Sequence, residues 1–97
     1  MKKAFLDQKI VEEIVEIAKQ NKVSKVILFG SRTRGDHTRV SDIDLAVSGG
    51  DADAFSLDVE ENTSTLLTYD VVDLDRNITA ALRRSIDTEG IILYEEI

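Results

Sequence analysis

The chain has 97 residues, a length that allows one domain with one hydrophobic core. Apolar residues make up 42% of the sequence and charged residues 32%, which is typical of a globular protein in water. The formal net charge of −7 argues against general binding of nucleic acids, because an acidic surface repels their phosphates. There is no cysteine, which excludes disulfides and thiolate metal sites.

The start of the chain indicates no export or membrane segment. Asp7 interrupts the opening residues before an apolar run of signal-peptide length can form. No stretch approaches the roughly 20 apolar residues that a membrane-spanning helix needs. We therefore expect a cytoplasmic protein without a membrane partner, folded as a single domain over residues 1–97.

Helix and strand patterns alternate along the chain. In chain order the patterns predict a helix at 7–21 capped by Asp7, a strand at 26–29, a polar loop at 31–41 with room for one helical turn after Ser31, a strand at 42–47, a helix at 52–66, a strand at 69–74, a helix that Asn77 caps and Gly90 ends, and a strand at 91–94. About twenty residues separate the second and third strands, which is enough for a crossover helix and a parallel pair. The shorter first connection suits an antiparallel pair. The expected fold is α/β (α+β), with a small mixed sheet flanked by helices.

The first predicted strand ends in Gly30 and Ser31. Glycine has no β-carbon, so a ligand can approach its backbone closely. Successive N–H groups in such a turn, together with the Ser31 hydroxyl, can hold phosphate oxygens. An ordinary glycine turn would contain the same residue types, so this pair indicates a phosphate site only together with other residues.

Asp42 and Asp44 begin the second predicted strand. Residues i and i+2 of a strand point to the same face, so the two carboxylates can approach one another. Side-by-side carboxylates repel, and oxygen ligands of this kind suit Mg²⁺. The alternative interpretation is a solvated strand face. If the first two strands are antiparallel, the Gly30 turn and the carboxylate pair share one rim of the sheet.

The third strand offers a further carboxylate. Asp70 lies near its start and reaches the same rim if the second and third strands are parallel. Asp73 and Asp75 compete for this role, but they have the opposite strand parity to Asp70. We favour Asp70, with Asp73 and Asp75 on a solvated face or before the following helix.

The segments Gly-Ser-Arg-Thr-Arg-Gly-Asp at 30–36 and Ser-Asp-Ile-Asp-Leu-Ala-Val at 41–47 resemble the signature of the DNA-polymerase-β-type nucleotidyltransferases, especially the minimal (MNT) members. The resemblance implies that Gly30 and Ser31 hold the phosphates of a nucleoside triphosphate. It implies that Asp42, Asp44 and Asp70 are catalytic and bind two Mg²⁺ ions, with Asp70 helping to deprotonate the attacking hydroxyl.

Four basic side chains lie between these two segments or within the first. Arg32 and Arg34 are candidates for binding the nucleotide, and Arg39 is a candidate for contact with the triphosphate or pyrophosphate. A solvated loop, or contact with a partner's acidic face, is the alternative for all three. We expect His37 to be an exposed loop residue rather than a base.

The resemblance also implies a partner. Minimal members are paired with helical HEPN proteins in toxin–antitoxin modules, where the nucleotidyltransferase is the antitoxin and transfers AMP from ATP to a tyrosine of the HEPN ribonuclease. Because nothing follows Ile97 to bind an acceptor, we expect the acceptor to come from another protein. Two alternatives stay open: a non-catalytic antitoxin that covers its partner, and a small-molecule nucleotidyltransferase subunit.

Overall fold

The structure is a computed structural model that describes residues 6–35 and 42–96. The elements follow the chain as α1 (Gln8–Gln20), β1 (Lys25–Phe29), α2 (Ser31–Arg34), β2 (Ile43–Ser48), α3 (Ala52–Asn62), β3 (Tyr69–Asp73), α4 (Ala80–Glu89) and β4 (Ile91–Glu95). The predicted alternation of helices and strands is confirmed, and so is the helical turn after Ser31.

The described strands form one mixed sheet in the order β3-β2-β1-β4. Strand β2 runs antiparallel to β1 and parallel to β3, as the lengths of the connections predict. Strand β4 pairs antiparallel with the other side of β1. The end of β1 therefore meets the starts of β2 and β3 at one rim of the sheet, which we call the active rim.

Helices cover both faces of the sheet. Along β2, Ile43, Leu45 and Val47 are fully buried beneath α1 and α3, which contribute the larger part of the core. The opposite face carries a smaller cluster in which Ala46 packs with Ile86 of α4. Because side chains alternate along a strand, Asp44 belongs to the face that α4 covers.

Two helix boundaries differ from the prediction. Helix α3 ends at Asn62 rather than near residue 66, because the Thr63 hydroxyl bonds to a carbonyl of the last turn and competes with helix continuation. Helix α4 is capped by Thr79, whose hydroxyl accepts from the backbone N–H of Leu82 at 3.1 Å, and not by Asn77.

Gly90 ends α4 as predicted, but without a left-handed conformation, since its φ is −64°. A glycine is required at this position for a steric reason. A β-carbon there would lie 2.5 Å from Cγ2 of Ile27 and closer still to the carbonyl oxygen of Ile86. The glycine thus lets the end of α4 approach the sheet. Within the two described ranges, no helix has the length and apolar character needed to cross a bilayer.

Candidate active site

Gly30 forms the turn between β1 and α2 with a φ of +79°, a conformation that residues with a side chain rarely adopt. The turn is fixed by Thr33, whose hydroxyl and backbone N–H both donate to the Gly30 carbonyl, at 2.7 and 3.0 Å. Ser31 follows as the first residue of α2. The predicted phosphate turn therefore has a defined backbone, at the active rim.

Asp44 lies directly against this turn. It pairs with Phe29 across the sheet, and a β-carbon added to Gly30 would overlap its carboxylate. Burial raises the pKa of Asp44, and the charges of Asp70 and Asp42 raise it further. The positive charges of Arg34 and Arg32 offset part of this rise.

Asp70 is the register partner of Asp44 in the parallel pair of β2 and β3. Register neighbours in adjacent strands share a face, so both carboxylates point away from the main core. Asp70 is exposed, whereas Asp44 is half-buried. The sequence-based choice of Asp70 over its competitors thus agrees with its position next to the Asp42–Asp44 pair.

Asp73 and Asp75 lie elsewhere. Asp73 is the register partner of Val47, toward the other end of β2, and forms an ion pair with Arg76 at 3.2 Å. Asp75 accepts from the backbone N–H of Gly49 at 2.7 Å and from the Ser48 hydroxyl at 3.0 Å, and these bonds lower its pKa. Both carboxylates stabilise the turns at the end opposite the active rim.

Asp42 precedes the first paired residue of β2 and is exposed. Its Oδ1 accepts a hydrogen bond from the Thr68 hydroxyl. Sequence reasoning assigned no role to Thr68. The parallel register gives the signal: Ile43 pairs with Tyr69, so the residues just before them, Asp42 and Thr68, are neighbours.

The predicted nucleotide-binding arginines occupy different environments. Arg32 is buried, with 7% of its surface exposed, and it is the buried charged residue of the described core. Arg34 is exposed, and its Nη1 lies 2.7 Å from Oε2 of Glu89 at the end of α4. Arg34 therefore links α2 to α4 while its charge acts on Asp44. His37 and Arg39 lie outside the described residues.

Carboxylates are suitable ligands for a divalent cation, but these carboxylates do not form a complete metal site by themselves. Within residues 6–35 and 42–96, no three acidic or histidine side chains are gathered closely enough to form a metal site by themselves. The three carboxylates therefore share the rim without forming a complete metal site, and the negative charges of Asp70 and Asp42 act on Asp44 there. Mg²⁺ commonly takes one or two protein carboxylates and completes its shell with water and substrate phosphates, so this donor set suits it.

Comparison with known proteins agrees with this geometry. The family model described as polymerase beta, nucleotidyltransferase matches residues 12–96. A protein of Methanocaldococcus jannaschii that is named as a candidate protein adenylyltransferase is 34% identical over 100 residues, covering 91% of this chain and 98% of its own length.

Solved structures give the same result. A crystal structure of a toxin–antitoxin with AMP-PNP matches with a TM-score of 0.73 and 26% identity, covering 88% of this chain and 73% of that chain. A mutant of the toxin–antitoxin MntA–HpeT matches with a TM-score of 0.70 and 26% identity, over 93% of this chain and 73% of that one. With a family model that spans most of its residues, the chain belongs to the polymerase beta nucleotidyltransferase family and is a nucleotidyltransferase.

Proposed function

We propose that the chain transfers AMP from ATP to a hydroxyl group of a partner protein, in a reaction that depends on Mg²⁺. The observation that supports this most directly is the contact of Asp44 with the Gly30 turn, since it brings a carboxylate to the place where backbone N–H groups can hold phosphates. Asp70, the register partner of Asp44, adds a second charge on the same face.

In this proposal Gly30 and Ser31 hold the β- and γ-phosphates, and Arg32 or Arg34 neutralises part of their charge. Asp42, Asp44 and Asp70 would hold the divalent ions. Bound Mg²⁺ supplies charge neutralisation at the phosphates and at the attacking oxygen. Because the raised pKa of Asp44 reflects burial beside two like charges, a cation at this rim would relieve repulsion that the folded chain otherwise bears.

The chemical step is an in-line displacement at the α-phosphorus. The acceptor oxygen forms the new bond to phosphorus while the bond to the bridging oxygen of the β-phosphate breaks, and pyrophosphate leaves. Asp70, which is exposed, receives the proton of the acceptor hydroxyl. Positioning and charge neutralisation supply most of the rate enhancement in reactions of this class.

The comparisons favour a protein acceptor. One relative is named as a candidate protein adenylyltransferase, and the two crystal structures described above are of toxin–antitoxins. We therefore propose that the chain is an antitoxin and that its acceptor is a tyrosine of a HEPN-type toxin partner. The need for ATP and the lack of cysteine are compatible with the cytoplasm.

The test is transfer of label from α-³²P-ATP to the protein encoded beside this one, with and without Mg²⁺. We expect label on a tyrosine of the partner, loss of toxin activity, and no label with Asp42→Ala. If Asp42→Ala suppresses toxin activity as strongly as the wild type does but transfers no label, the result would instead support a non-catalytic antitoxin. Label on a small molecule alone would support a small-molecule nucleotidyltransferase subunit.

A further inference from the structure

Thr68 forms two hydrogen bonds at the active rim, and the roles proposed for the carboxylates do not account for them. Its hydroxyl donates to Oδ1 of Asp42. Its carbonyl oxygen accepts from the backbone N–H of Ile43 at 3.0 Å. Thr68 therefore contacts Asp42 through its hydroxyl and Ile43 through its carbonyl oxygen, although 26 residues separate it from Asp42 in the sequence.

Asp42 needs such a partner more than Asp44 does. Asp44 lies within β2, half-buried against Gly30, and its neighbours restrict its side chain. Asp42 precedes the strand and is exposed, so the sheet does not fix its rotamer. Repulsion from Asp44 would turn a carboxylate in this position toward solvent.

A hydroxyl donor is chemically suited to hold it. The hydrogen bond to the Thr68 hydroxyl occupies one lone pair of Oδ1 and leaves Oδ2 free to bind a cation. A neutral donor orients the carboxylate without neutralising it, whereas an arginine or lysine in the same place would compete with a metal ion for its charge. Outer partners of this kind orient metal-binding carboxylates in many proteins.

We propose that Thr68 is a positioning residue, which orients the Asp42 carboxylate for a divalent cation at the active rim. This inference rests on the proposed function. The nearby Thr65 offers a contrast, because its hydroxyl accepts from the backbone N–H of Leu67 at 3.1 Å and so stabilises its own loop. Variants of the two threonines can therefore distinguish an effect on the orientation of Asp42 from an effect on the stability of the segment.

The experiment compares Thr68→Val with Thr68→Ser and Thr65→Val. Binding of Mn²⁺ in the presence of a non-hydrolysable ATP analogue is measured by calorimetry and by electron paramagnetic resonance, and the Mg²⁺ dependence of transfer is measured in parallel. We expect Thr68→Val to weaken Mn²⁺ binding and raise the Mg²⁺ concentration needed for half-maximal transfer by about 10- to 100-fold.

The conservative variant and the control sharpen the result. Thr68→Ser keeps the hydroxyl and should restore both values to within about threefold of the wild type, a change small beside the effect expected for Thr68→Val. Thr65→Val should lower the melting temperature and leave both values unchanged. Thr68→Ala, which adds no bulk, replaces Thr68→Val if the latter does not fold.

Two failures are distinguishable. Wild-type protein that binds Mn²⁺ with the analogue, while Thr68→Val or Thr68→Ala binds it equally well, overturns the role of Thr68 and leaves the proposed function intact. Loss of binding in Thr68→Ser as large as that in Thr68→Val also overturns it. Wild-type protein that binds no Mn²⁺ with the analogue overturns the proposed function, and the role of Thr68 with it.

Discussion

The carboxylate of Asp44 occupies the space into which a β-carbon on Gly30 would project. That atom would lie 3.1 Å from Cγ of Asp44 and closer still to Oδ2. Phe29, the residue before the glycine, is the register partner of Asp44 in the antiparallel pair of β1 and β2. The missing side chain of Gly30 therefore allows a carboxylate and a phosphate-binding turn to lie at one point of the rim.

Gly30→Ala is expected to inactivate the enzyme and to destabilise the fold. The new methyl group must displace Asp44, and an alanine at a φ of +79° is strained, which together cost about 1–3 kcal/mol of unfolding free energy. Displacement of a catalytic group by about 1 Å can lower a rate roughly 100-fold. Urea unfolding and the label-transfer assay measure the two effects.

Gly35→Ala is the matched control, because Gly35 ends α2 at a similar φ of +83°. It should show comparable backbone strain with a much smaller loss of transfer. Equal loss of transfer in the two variants would mean that the conformation of α2, and not the contact with Asp44, determines activity.

Asp44→Asn should stabilise the metal-free protein, and increasingly so as the pH rises. Burial, Asp70 and Asp42 raise the pKa of Asp44 above its ordinary value of 3.8. The folded state then holds this proton more tightly than the unfolded state, so its contribution to stability is lost as the pH rises through the raised pKa. Asparagine has no such proton, so the gain in melting temperature of Asp44→Asn over the wild type should grow as the pH rises above 3.8 in the presence of EDTA.

The same substitution should abolish the rise in melting temperature that Mg²⁺ with a nucleotide gives the wild type by binding the folded state. Asp75→Asn is the contrasting variant, because its carboxylate accepts two hydrogen bonds in a turn and its pKa is lowered. It should destabilise the protein above pH 4 (roughly the ordinary pKa of the group) and keep the response to Mg-nucleotide. A sharp loss of stability in Asp44→Asn at neutral pH would contradict this account.

The ion pair of Arg34 with Glu89 should contribute little to stability. Its side chains are 47% and 29% exposed, and partly exposed pairs of this kind contribute about 0.2–1 kcal/mol. A double-mutant cycle with Arg34→Met and Glu89→Gln, followed by urea unfolding, measures the coupling. It should shrink in about 1 M salt, where the screening length is near 3 Å. Coupling that is larger and insensitive to salt would assign the pair a structural role.

The cap of α4 distinguishes the structure from the sequence-based prediction. Thr79→Ala removes the acceptor of the Leu82 N–H and should cost about 1 kcal/mol of unfolding free energy. Asn77→Ala, at the residue that the sequence pattern favoured, should change the free energy by less than about 0.5 kcal/mol. Thermal or urea unfolding of both variants decides the matter, and the reverse order of effects would contradict the position of the helix start.

The parts of the fold that local patterns determine could be predicted from the sequence. The stripe of Ile10, Ile14 and Ile17 defines α1, and the apolar run before Gly30 defines β1. Strand direction followed from connection length, and strand parity correctly placed Asp70 beside Asp44. These signals depend on neighbours in the sequence or on the period of the element.

The rest depended on contacts between distant segments. The bond of Thr68 to Asp42 joins residues 26 apart, and the pair of Arg34 with Glu89 joins residues 55 apart. No local pattern encodes either contact. The predicted start of α4 was wrong for a different reason, since Asn77 and Thr79 are both good capping residues and the residue type alone does not decide between them.

The position of β3 at one edge of the described sheet has a consequence for the size of the acceptor. Asp70, the proposed base, projects from that outermost strand and is open to solvent. An acceptor hydroxyl therefore need not enter a deep cleft to reach the nucleotide. A hydroxyl on the surface of a folded macromolecule can approach Asp70 from the side, while the rest of that macromolecule stays outside the enzyme.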